Sequence, residues 1–384
     1  MRATKIFQAF FNSEKAGGFV LIGCSLIAIA VANSPLGDGY SHFWHSPVAG
    51  HALEFWVNDG LMAIFFLLIG LEIERELLAG ELRSLRNALL PTAAAVGGMV
   101  LPALIHFVFN HGTPYQRGFG IPMATDIAFS LGILSLLGSR VPVSLKIFLT
   151  AVAIIDDLGA ILIIALFYSK GFSFGYFAAA MALFALGLWM RRAKVNQLWP
   201  YLPLGIAMWY CMHHSGIHAT ITGVLLAFAI PFSRTDEHNP SSRLEHLLHK
   251  PVAFLIMPIF ALANTGIAVP PDWANDLTAG NSLGTLLGLF VGKPLGIFLA
   301  VLVALRLGWS KLPQQIRKVH IWGVGMLAGI GFTMSIFITL LAFQDPAAIV
   351  ETKIAVLIAS LLSGALGFLL LQATLPKKAL DQEE

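Results

Sequence analysis

Between Ile147 and Phe167 runs a stretch of 21 residues whose only charges are two adjacent aspartates, Asp156 and Asp157, at its middle. A helix of that length crosses one hydrocarbon core. Each carboxylate near the centre of a bilayer costs about 2.5–3.5 kcal/mol. Two side by side also repel, so an unperturbed pair does not stay doubly ionised. A chain carries that burden where the carboxylates face a protein-lined cavity and handle protons or cations.

The remainder of the chain fits a membrane setting. Hydrophobic residues make up 57% and charged residues 12% of the 384, whereas soluble domains are nearer a quarter charged. Hydropathy and helix breakers predict an all-α membrane protein of twelve spans in a single domain over residues 1–384. The first six are Gly17–Ala32, Phe55–Leu71, Ala88–Phe109, Gly118–Leu137, Ile147–Phe167 and Phe174–Met190. The others are Tyr201–Cys211, Ile217–Ile230, Val252–Ala268, Leu283–Leu305, Trp322–Phe343 and Ile349–Leu371. The longest polar connection is Ser233–Lys250.

Charge tests that count. With both termini cytoplasmic, 20 of the 24 Lys and Arg residues fall in cytoplasmic segments, Arg2, Lys5, Lys377 and Lys378 among them. Arg117, Lys170 and Lys353 fall outside, and Lys293 falls inside a span. A missed span would invert this bias downstream. The net charge of +3 is therefore a topological signal and gives no reason to expect nucleic acid. Cys24 and Cys211 both lie in spans, so no disulfide framework is expected. The Ala30-Val31-Ala32 end of the first span faintly matches a signal-peptidase site, but the segment fits as an ordinary first helix.

Two spans concentrate helix breakers. The fourth contains Gly118, Gly120 and Pro122, followed by the capping residues Thr125 and Asp126. Pro122 lacks an amide donor and disfavours helix at Ile121, so a break is expected there, with Thr125-Asp126 opening the second half. A plain Pro-kinked helix is the alternative. The eleventh span holds Gly323, Gly325, Gly329 and Gly331 before Phe332-Thr333-Met334-Ser335. Both are middle members of triplets, spans three to five and ten to twelve. Paired broken helices in inverted repeats, crossing at mid-membrane, form a transporter architecture. The other spans would serve as scaffold.

Lys293, followed by Pro294, is the one lysine expected to be buried within a span, some ten residues in. Its ammonium needs a counter-charge from Asp126, Asp156 or Asp157, unless it snorkels to an interface. An enzyme fits poorly. A metal-dependent prenyl transferase needs a second acidic motif, and an aspartyl protease needs its two aspartates on separate helices. A cation channel would share the site, but a buried lysine beside the pathway argues against simple conduction.

Four segments, Ala124–Phe129, Ala153–Ala160, Gly292–Gly296 and Gly329–Phe337, resemble the signature segments of NhaA-type bacterial sodium/proton antiporters. The resemblance extends from Gly17-Gly18 to the last span. It implies pH-regulated, electrogenic exchange of Na⁺ or Li⁺ for H⁺ across the bacterial inner membrane, without a cofactor. It implies that Asp156 and Asp157 alternately bind cation and proton, with Thr125 and Asp126 at the crossing of the broken helices. Asp126 would offset the helix N-termini there, and Lys293 would balance the C-terminal ends and pair with Asp156. A pH-sensing cluster maps onto Glu72, Arg75, Glu76, Glu245, His246 and His249, and His218 matches a further position linked to pH response. An ordinary solvated surface is the alternative for the cytoplasmic group. Partners implied are the ions and membrane lipid, with a homodimer left open. The first external connection, Asn33–Glu54, is shorter than in members that dimerise through a β-hairpin, and Ser242-Arg243 replaces a Lys-Arg pair found in some members.

Overall fold

The computed structural model describes residues 14–376 except 170, 237, 238 and 314. Arg2, Lys5, Lys170, His238, Lys377 and Lys378 lie outside the described residues, as do the side chains of Lys15 and Arg86. In chain order the main helices begin with α1 (Glu14–Ala32), α2 (Gly37–His45), α3 (Met62–Leu78), α4 (Leu85–Asn110) and α5 (Ile127–Leu136). Then come α6 (Val143–Phe167), α7 (Phe174–Arg192), α8 (Tyr201–Ser215), α9 (Ile221–Ala229), α10 (Pro240–Pro251) and α11 (Met257–Thr265). The last are α12 (Gly280–Leu287), α13 (Lys293–Arg306), α14 (Lys318–Ala328), α15 (Phe332–Ala342) and α16 (Pro346–Thr374). Short π-helical turns at Trp56–Leu61, Val252–Ile256 and Gly288–Gly292 lead directly into α3, α11 and α13.

Among the described residues, six helical stretches are long and apolar enough to cross a membrane, and nine if each of three bent pairs counts as one span. The polar connection expected at Ser233–Lys250 is shorter than its composition suggests. Asn239 accepts from the Ser242 amide at 3.0 Å and Pro240 occupies the first turn, so α10 starts there and continues through the Val252–Ile256 π-helical turn and α11 as one helical stretch to Thr265. Hydropathy marks only the apolar part of such a helix. The capping pair marks its true start.

The connection Asn33–Glu54 contains a minimal hairpin, β1 (Pro47–Val48) paired antiparallel with β2 (His51–Ala52). Its turn residues Ala49 and Gly50 have φ of 49° and 87°, the signature of a tight two-residue turn.

The chain forms two compact units. The first comprises Met1–Leu26, Ser84–Ala160 and Ile267–Glu384, taken over its described residues, and the second Ile27–Arg83 and Ile161–Gly266. Within the first, α4 and α13 cross at Gly97 and Gly296. A Cβ on Gly296 would lie 2.1 Å from the Gly97 carbonyl oxygen, so the backbones meet only because both residues are glycine. That contact is one helical turn from Lys293 and fixes where its ammonium can reach. Within the second, Leu71, Tyr201, Met208, Leu226, Ala227 and Ile230 form the apolar core joining α3, α8 and α9.

Candidate ion-binding site

The site lies in the first unit, where two helices stop and restart. A 3-10 helix, Pro114–Met123, gives way at Ala124 to extended backbone before α5 begins, and the two limbs are bent by 41°. The limbs α14 and α15 are bent by 48° across Gly329–Gly331. Each break leaves carbonyls at the end of one limb and amides at the start of the next without intrahelical partners. Inside a membrane such groups must be satisfied by protein.

The two broken helices satisfy each other. The Asp126 amide donates to the Ile330 carbonyl at 2.7 Å. The Thr125 and Ser130 hydroxyls donate to the Ala328 and Leu327 carbonyls, at 2.9 and 2.8 Å, closing the end of α14. In the opposite sense, Ser335 Oγ donates to Ile121 O at 2.7 Å, and Lys293 Nζ, from the neighbouring α13, donates to Met123 O, so that the end of the 3-10 limb is closed as well.

The amide ends converge on Asp126, which is buried. Its Oδ1 accepts from the Phe129 amide at 3.0 Å, and its Oδ2 accepts from the Thr333 amide at 3.2 Å and hydroxyl at 2.5 Å. One carboxylate thus faces the N-terminal ends of both α5 and α15, where negative charge is favoured.

Beside this crossing, α6 brings in the aspartate pair. Asp156, Asp157, Thr125 and Lys293 are all at most 1% exposed. Lys293 Nζ lies 2.8 Å from Asp156 Oδ2, and the Thr125 hydroxyl donates to the same oxygen at 2.8 Å. Asp156 Oδ1 is buried and has no hydrogen-bond partner among the described residues, an acceptor open to a cation or a proton. Asp157, about 100° further round the helix, is close enough for its charge to act on Lys293. Of the three carboxylates the sequence offered Lys293, the structure selects Asp156 for direct contact. The arrangement offers hard oxygen ligands and a counter-ion in one buried place.

A second cluster forms in the other unit at the end of α3, beyond the apolar stretch that closes at Leu71. Arg75 Nε lies 3.1 Å from Glu245 Oε1 on α10, and Arg75 Nη2 lies 3.4 Å from Glu76 Oε1. Glu72 is partly buried between them. Burial, with Glu245 and then Glu76 adding repulsion against the pull of Arg75, pushes its carboxyl up to about 7. His246 and His249 are exposed on α10 with their charges acting on Glu245. His218 belongs to a different group, with Nε2 3.3 Å from Asp59 Oδ1 and Nδ1 2.8 Å from Thr220 Oγ1. Asp59 also meets His213, at 3.4 Å.

Two sets of residues escaped sequence reading. Thr333 and Ser335 were visible only as parts of a motif, yet they complete the crossing. Glu74 was passed over, although acids two residues apart on a helix face opposite ways, so Glu72 and Glu74 cannot share one cluster.

The family described as Na⁺/H⁺ antiporter 1 matches residues 8–371. The chain is 56% identical over 383 residues to the Na⁺/H⁺ antiporter NhaA of Cytophaga hutchinsonii, covering 100% of this chain and 99% of the relative. It is 57% identical over 372 residues to that of Dechloromonas aromatica, covering 96% of each. Among solved structures, the sodium proton antiporter MjNhaP1 from Methanocaldococcus jannaschii at pH 8 shares the fold with a TM-score of 0.54 at 18% identity, over 96% of this chain and 100% of that one. These relatives are transporters and not enzymes. With a match along nearly its whole length and its apolar helices broken where a buried charge set gathers, the chain is a multi-pass membrane protein and belongs to the Na⁺/H⁺ antiporter 1 family.

Proposed function

We propose that this protein exchanges Na⁺, or Li⁺, for H⁺ across the bacterial inner membrane, by competition of cation and proton for Asp156 and Asp157. The observation that carries the reading is the buried aspartate pair on α6, held against Lys293 and Thr125 beside two broken helices. The Na⁺ ligands are the two carboxylates, the Thr125 hydroxyl, carbonyls at the breaks and water, and Asp126 neutralises the paired helix N-termini. Na⁺ and H⁺ cannot occupy the same carboxylate oxygens together. Competition at one site that opens alternately to each side is sufficient for exchange. Net charge moves in each cycle when more protons than cations cross, which makes the exchange electrogenic.

The full architecture is twelve spans with both termini cytoplasmic, forming one transporter domain without a cofactor. Spans three to five and ten to twelve are the inverted repeat, a reading supported by their falling, up to Ala160 of the fifth, in one compact unit. Glu72, Arg75, Glu76, Glu245, His246 and His249 set the pH response at the cytoplasmic face. The Glu72 carboxyl, pushed up to about 7, supports that assignment. His218 acts separately, through Asp59.

The test is Asp157→Asn in proteoliposomes, with Na⁺-driven proton movement reported by a pH dye. Loss of exchange and of cation binding in a folded variant is expected. Exchange like that of the wild type from this variant refutes the assignment.

A further inference from the structure

On the far side of α3 from the Glu72 cluster lies a second charged contact. Glu74 is 1% exposed, and its Oε1 takes Arg191 Nη1 at 2.5 Å. The same Nη1 donates to the Phe228 carbonyl at 2.6 Å, in the last turn of α9. Ser241 Oγ, in the first turn of α10, lies 3.5 Å from Glu74 Oε2. One ion pair therefore joins α3 to the end of α7, the end of α9 and the start of α10. The guanidinium closes an open helix carbonyl, and the carboxylate lies near a helix N-terminus.

We propose that Glu74 and Arg191 are positioning residues for the pH response, fixing α3 so that charge appearing on its Glu72 face acts on α10 instead of being relieved by movement of α3. The proposal rests on the pH-regulation reading of the Glu72 cluster. Residues two apart on a helix point about 200° apart, so α3 is gripped on one face by the Glu74–Arg191 pair. On the other it meets the group formed by Arg75, Glu76, Glu245, His246 and His249 around Glu72. Burial raises the Glu74 carboxyl and Arg191 pulls it down. Removing the grip lets α3 shift and water reach Glu72. The elevation that burial gives Glu72 then relaxes toward the ordinary carboxylate range.

Glu74→Gln is the gentler probe. It keeps the shape and leaves behind Arg191, which is 28% exposed and can reach water. Arg191→Gln instead strands a buried carboxylate. Both, with Arg191→Lys as the charge-conserving control, are assayed as full-length protein in proteoliposomes from pH 6 to 9, after gel filtration has verified folding. The expected result is an acid shift of the activation midpoint by about half a pH unit or more in Glu74→Gln, a threefold change in proton sensitivity. Na⁺ affinity at the alkaline plateau should be unchanged, and Arg191→Lys should stay near the wild type. A folded Glu74→Gln or Arg191→Gln variant with an unmoved midpoint overturns the proposal, as does an equal shift in Arg191→Lys. A wild type whose exchange is independent of pH removes the regulatory reading itself, and the proposal with it.

Discussion

Replacing Lys293 by Met isolates the electrostatic role of the buried pair. The substitution keeps the length of the side chain but removes the donor to Asp156 Oδ2 and to the Met123 carbonyl. Both Lys293 and Asp156 are 0% exposed, so the remaining carboxylate cannot reach water. Stripping one partner from a buried ion pair costs about 3–5 kcal/mol, and leaving the Met123 carbonyl bare adds about 1–3 kcal/mol. At about 2 °C per kcal/mol for a long chain, Lys293→Met should melt roughly 8–15 °C below the wild type at pH 8. The double variant Lys293→Met with Asp156→Asn removes the stranded charge along with its partner. It should therefore be more stable than Lys293→Met alone by about 2 kcal/mol or more. Thermal unfolding of detergent-solubilised protein, followed by tryptophan fluorescence, measures all four corners of the cycle. Lowering the pH should narrow the gap between Lys293→Met and the wild type, because a proton on Asp156 neutralises the stranded charge. A single variant that melts within a degree or so of the wild type at pH 8, or a cycle whose effects simply add, would refute the argument.

Other consequences are open to equally direct measurement. Thr333→Val removes the hydroxyl donor to Asp126 and should destabilise by about 1.5–3 kcal/mol and slow exchange, whereas Thr333→Ser should be nearly silent in both melting and flux. Na⁺ affinity should fall as pH is lowered from 8.5 to 6, and isothermal titration showing no such dependence would contradict competition at a shared site. Glu72 is neutral in the folded protein up to about 7 against a reference of 4.5, so the folded state holds an extra proton between those values. Its stabilising contribution is thus present at acid pH and is lost as pH rises through 7. Glu72→Gln should abolish that part of the melting-temperature decline and flatten the activation profile.

Much of the site was legible because membranes make polar residues conspicuous. Asp156, Asp157 and Lys293 stand out from apolar runs, and Pro122 and Gly329–Gly331 mark where helices stop. What the sequence could not supply was pairing over distance. Thr333 lies 207 residues from Asp126, and nothing in local composition links them. The same applies to Glu74 and Arg191, 117 residues apart, each looking like a solvated charge at a helix end. Helix α10, lying within the connection read as Ser233–Lys250 ahead of the span expected from Val252, went unread for a different reason. Hydropathy follows the apolar half of an amphipathic helix and misses the polar turns that precede it, although Asn239 and Pro240 carried the capping signal. The resemblance linked His218 to the pH response apart from His246 and His249 but named no partner for it, and the chain places it with Asp59, 13 residues before Glu72.

The mutual closure of the two broken helices also bears on how the protein is made. Asp126 leaves the ribosome 207 residues before the threonine that satisfies it, an interval of roughly 10–40 s at about 5–20 residues per second. Throughout that interval the 3-10 limb and α5 are in the bilayer or its translocon with their open ends unmatched by their eventual partners. Insertion therefore ends in a late docking event, and a truncated chain lacking α14 and α15 should be a substrate for quality-control proteolysis.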